Sequence, residues 1–119
     1  MIVLHLKKVW FDKIKSGEKI HEYREQQKWV STFANFFLNP AEGNNFAILC
    51  DVGDTYEAKG CQFKDDGIIE LCCGYPSRRP EDQHKWLKAK VVNITTNVDG
   101  RETDLDIDEP VLDIELRLI

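Results

Sequence analysis

The last nine residues, VLDIELRLI, limit the possible folds more than any other stretch of this chain. Leu112, Ile114, Leu116 and Leu118 fall on one side of an extended backbone, and Asp113, Glu115 and Arg117 on the other. A period of two with one polar side predicts a half-buried strand in an antiparallel sheet. Upstream, KWLKAKVVNITTN (85–97) also alternates and is rich in β-branched residues. GIIELCCGY (67–75) and YEAKGCQF (56–63) read as two more strands, joined by the turn KDDG. FAILC (46–50) reads as a buried strand between the loop AEGNN and the turn DVGDT. No helical period separates these late strands, which argues against a βαβ sheet.

The first third of the chain is different. IVLHL (2–6) reads as a short inner strand. In KKVWFDKIKSG, Trp10 and Ile14 lie four apart with Phe11 beside them, while Asp12, Lys13 and Lys15 take the opposite side. That is a two-turn amphipathic helix, ended by Gly17. KIHEYR (19–24) is a strand candidate, and QKWVSTFANFFLNP places Trp29, Phe33, Phe36 and Phe37 at helical spacing until Asn39-Pro40 stops it. About six strands and two short helices near the N-terminus predict an α+β fold, a small mainly antiparallel β-barrel forming one domain over 1–119.

Composition narrows the function classes. A hydrophobic content of 42% and a charged content of 31% are globular values. The opening MIVLHLKKVWF is broken by His5, Lys7 and Lys8, so neither a membrane span nor a signal peptide is expected. Cys50, Cys61, Cys72 and Cys73 form no C-x-x-C pair and read as free thiols in a reducing cytoplasm, with no metal site. No phosphate-binding glycine motif is present, so no nucleotide cofactor is expected. The net charge of −5 matches the segment from Asp99 to Glu109, where six acids meet one base, Arg101. The rest of the chain is neutral overall and can present local basic surface to an anionic partner. The acidic run lacks the glycine and closing glutamate of a calcium loop and reads as a solvated loop, or as a docking site for a basic partner.

One stretch, SGEKIHEYRE (16–25), carries seven ionisable side chains. Along a strand Glu22 and Arg24 share one side, while His21 and Tyr23 share the other. On one reading Tyr23 packs inward and the charged groups form a surface ion pair of little energetic weight. On the other, Lys19, Glu22 and Arg24 converge at the mouth of a barrel. Glu22, between two bases, would be held ionised and could accept a proton or hydrogen bond from a ligand. Arg24 could fork onto a phosphate or a base edge, and Gly17 would let the backbone approach a ligand closely. Tyr75, Arg78 and Arg79 belong to a Pro-punctuated loop placed to rim the same cleft. Trp10 and Trp29 read as core, and Trp86 as the better candidate for stacking on a base.

A short strand, a short helix and then G-x-K-x-x-E-x-R, here Gly17, Lys19, Glu22 and Arg24, resembles the ASCH domain of the PUA-like superfamily. Trp29 after the motif, the strand IIELCCGYP and the alternating final strand extend the likeness over nearly the whole chain. The resemblance implies a small β-barrel whose charged cleft binds RNA or a modified nucleoside. Some similar proteins are amidohydrolases that remove the acyl group from N4-acetylcytidine, using a Thr three positions after the motif's Lys. This chain has Glu22 there, and the acid those enzymes draw from a later insert has no aligned position. Lys19 and Arg24 carry over and the nucleophile does not. An enzyme of this kind would have to use Lys19 and Glu22 as an acid/base pair.

Overall fold

The final strand forms where its alternation predicts, although Leu118 at its end is exposed and Val111 on the opposite side is buried, and the rest of the sheet is built outward from it. A computed structural model describes all 119 residues. Its strands are β1 (Val3–Leu6), β2 (His21–Glu25), β3 (Ile68–Cys73), β4 (Trp86–Asp99) and β5 (Pro110–Leu118). They make one sheet in the order β1-β3-β4-β5-β2, antiparallel throughout except for the parallel pair β1 and β3. On β5, Leu112, Ile114 and Leu116 are buried against the core while Asp113, Glu115 and Arg117 take the other face. Strand β4 is long enough to pair with both β3 and β5. Its register shifts between Val91 and Asn93 and again between Thr95 and Val98, irregularities that bend and twist a strand.

The helices α1 (Lys8–Lys15), α2 (Gln26–Ala34) and α3 (Pro40–Val52) contribute side chains to the core that the sheet also faces. Phe11, Ile14, Phe33, Phe36, Phe37 and Phe46 join Leu4, Leu71 and Ile94 in one continuous core. The third helix corrects the sequence reading, which made AEGNN a loop and FAILC a strand. Asn39 ends one segment and caps the next, its side chain accepting from the Ala41 N–H at 2.9 Å, and Pro40 occupies the first turn. Gly53, at φ 84°, closes the helix in the left-handed conformation. Gly43 lies where a Cβ would stand 2.3 Å from the Ala34 carbonyl oxygen, so α2 and α3 meet too closely there for any larger residue.

YEAKGCQF forms no strand either. It runs as irregular chain, bridging the sheet at Glu57–Thr95 and the α2–α3 connection at Phe63–Phe37. The fold is therefore α+β with five strands and three α-helices. The sheet is open where a barrel was expected. Strands β1 and β2 are its two edges, and no backbone ladder joins them. The edges meet through a side chain instead, with Arg24 Nη2 donating to the His5 carbonyl oxygen at 2.8 Å. No helix is long and apolar enough to cross a membrane.

Candidate functional site

The gap between the two edge strands is the candidate site. Just past the end of helix α1, Gly17 at φ 81° turns the chain back, and the Lys19 N–H returns to the Lys13 carbonyl at 3.1 Å. Strand β2 then pairs with β5 so that Glu22 lies opposite Ile114 and Arg24 opposite Leu112. Both partners face the core, so Glu22 and Arg24 lie on the core-facing side of the sheet as well. On an edge strand they meet the gap rather than another strand.

A cleft of about 410 Å³ opens there, between β1 with the start of α1 on one side and β2 with the start of α2 on the other. Glu22 and Arg24 lie in its wall with Trp10 and Trp29; Lys7 adds positive charge, while Lys28 is paired with Glu25 of the same wall at 3.1 Å. Glu22 is only 5% exposed. One carboxylate oxygen accepts from the Tyr23 N–H at 3.1 Å, and the other from Arg24 Nη2 at 3.2 Å. Arg24 thus links Glu22, the His5 carbonyl and the Trp29 ring, whose centroid is 5.2 Å from the guanidinium carbon. Lys19 sits just behind this wall. Its ammonium lies 3.9 Å from Glu22, over the Trp10 ring at 4.5 Å and the Tyr23 ring at 5.4 Å, and donates to Asp104.

Burial pushes the Glu22 carboxyl above the usual carboxylate range, and Arg24 and Lys19 offset this only in part. Two neighbouring bases were expected to favour its ionised form; they do pull in that direction, and burial is the larger influence on the shift. Burial, reinforced by Asp113 and Asp104, also raises the Tyr23 phenol, which stays a neutral hydrogen-bond donor.

The motif residues Lys19, Glu22 and Arg24 are brought together, and the rim loop is not. Arg78 forks onto Glu70 at 2.6 and 3.0 Å and stacks on Trp86 at 3.5 Å, which commits both to the outer face of β3 and β4. The Trp86 indole N–H is spent on the Ser77 carbonyl at 2.8 Å. Arg79 precedes the 3-10 turn Pro80–Lys85 and lies outside the cleft wall. Tyr75 is 89% exposed and reaches the site indirectly, stacked at 4.5 Å on His5, which does line the cleft. Gly17, at φ 81°, serves the turn and does not line the cleft, and a Cβ there would meet open space.

Trp10 and Trp29, read as core, line the cleft instead, although Trp29 also packs on the core beside Phe33. Sequence reasoning missed His5, Lys28 and the pair Asp104–Leu105, all in the wall. The charge of the acidic loop was visible, but its contact with Lys19 joins positions 85 apart. No three His, Cys, Asp or Glu side chains converge as a metal-binding group would. Comparison with protein-family models, with curated proteins and with solved structures finds no match to this chain.

Proposed function

We propose that the chain is an ASCH-type module of the PUA-like superfamily, and that the cleft between its edge strands binds RNA or a modified nucleoside. The observation that carries the reading is the meeting of Glu22 and Arg24 with two tryptophans in one concave wall. Indole rings offer stacking surface to a base of any sequence. The carboxyl of Glu22 and the guanidinium of Arg24 supply an acceptor and a donor for its polar edge, and Lys7 attracts the backbone. A cleft of about 410 Å³ lies within the ordinary range for a small-molecule site. Four unpaired thiols fit a reducing, cytoplasmic setting. Titration of labelled single- and double-stranded RNA at two salt concentrations tests the reading. Binding should weaken as salt rises and fall strongly in Arg24→Ala. Failure to bind any RNA at low salt would overturn it.

A second reading is favoured by the raised pKa of Glu22. A carboxyl that holds its proton closer to neutrality is suited to general acid/base work, here hydrolysis of an amide or acyl group on a nucleoside such as N4-acetylcytidine. Incubation with acylated nucleosides should then give turnover that Glu22→Gln abolishes. Intact substrate at high enzyme concentration excludes this activity.

A further inference from the structure

Lys19 carries a charge that is neutralised before any ligand arrives. Its side chain is 11% exposed and covered by two aromatic rings. Glu22 is shared with Arg24, so the carboxylate that most directly satisfies Lys19 is that of Asp104. Asp104 belongs to a loop that holds its own shape. The Gly100 N–H reaches the Glu109 carbonyl and the Ile107 N–H reaches the Gly100 carbonyl, both at 3.2 Å, and the Asp106 N–H reaches the Thr103 carbonyl at 3.0 Å. Thr103 Oγ1 closes the base by donating to the Gly100 carbonyl at 2.9 Å. These bonds fold the loop back on itself at its root. Its tip, Asp104 and Leu105, forms one wall of the cleft.

A carboxylate on an ammonium is the contact that a phosphate oxygen would make in the same place. We propose that Lys19 is the centre of a concealed oxyanion subsite, that Asp104 is its built-in occupant, and that a phosphate group takes over Lys19 when the loop tip swings away. Only the identification of that phosphate with an RNA backbone rests on the function proposed above. While Asp104 is docked, Lys19 and Arg24 are matched by two carboxyl groups. Once it leaves, the cleft gains one uncompensated positive charge where a phosphate would sit. The loop thus sets affinity, because every binding event must first displace it.

The test has two arms. In the first, a fluorescein-labelled 12-nucleotide oligouridine is titrated into wild type, Asp104→Asn, Asp106→Asn and Lys19→Gln/Asp104→Asn. Asp104→Asn should bind about five- to tenfold more tightly than wild type. Asp106→Asn, which removes the same charge from the same loop, should change affinity less than about twofold at moderate salt. The double variant should lose the gain. Equal gains from Asp104→Asn and Asp106→Asn, or no gain from either, overturn the proposal and leave RNA binding standing. If no variant binds the RNA, the function proposed above falls and the second arm decides the subsite alone. There, amide hydrogen exchange of residues 103–107 is followed as inorganic phosphate replaces chloride at constant ionic strength. Faster exchange in wild type, with Asp104→Asn already fast and indifferent to phosphate, supports the subsite. Wild-type exchange that ignores phosphate overturns it.

Discussion

At the scale of single residues, Glu22 and Arg24 form one unit, and each can be perturbed separately. Burial raises the Glu22 pKa above its unfolded value against the pull of Arg24 and Lys19. A carboxyl with a raised folded-state pKa favours folding most below the ordinary carboxylate range, and that contribution is lost as pH rises through the folded-state value. Glu22→Gln removes the titration. Its Tm relative to wild type should therefore shift in the variant's favour between about pH 4 and about pH 7, as thermal unfolding at the two pH values would show. A constant difference would mean that Glu22 ionises as freely in the fold as in water. Arg24 contacts a carboxylate, a backbone carbonyl and an indole face at once. A lysine, a point charge on a flexible stem, cannot meet all three, so Arg24→Lys should weaken the RNA binding proposed above about tenfold despite the unchanged charge.

At the scale of elements, α3 and β5 mark the two ends of what the sequence disclosed. The alternation over 111–118 names both faces of β5, because a half-wet strand leaves a period of two in its composition. Helix α3 left no such trace. It buries only Gly43, Phe46 and Cys50, a stripe too narrow to print a helical period, and its first turn is polar and contains a glycine. Gly43 resembled a loop glycine and is a helix-packing glycine. Its replacement by Ala should cost about 1–3 kcal/mol by forcing α2 and α3 apart, measured by urea unfolding. Asn39→Ala, which removes the cap, should cost about 1 kcal/mol in the same assay. The site was legible to the same uneven degree. Lys19, Glu22 and Arg24 lie within one strand and its preceding turn, so local spacing could group them. Trp10 and Asp104 reach the cleft through packing of distant segments, which no spacing encodes. The rim loop was misplaced because Arg78 finds Glu70 on the outer face, a partner fixed only by the register of β3.

At the scale of the whole molecule, the open sheet has its weakest line where its two edges face each other. Each edge strand has a ladder on one side only, β1 to β3 and β2 to β5. Arg24→Ala would remove the hydrogen bond that crosses the gap to His5. Amide exchange should then quicken in β1 and β2 while β3, β4 and the paired length of β5 keep their protection, since local opening follows the line of fewest contacts. Uniform acceleration across the sheet would mean that the edges are not a separate unit. The same gap makes a ligand a structural part. A molecule seated between the edge strands would tie together two segments that the backbone leaves unjoined, and it would bind the folded chain alone. At a hundredfold excess over its Kd such a ligand adds about 2.7 kcal/mol to the stability of the fold. The melting temperature of the protein is therefore a detector for its own ligand, and a thermal-shift screen of nucleosides, nucleotides and short RNAs registers binding whatever chemistry follows in the cleft.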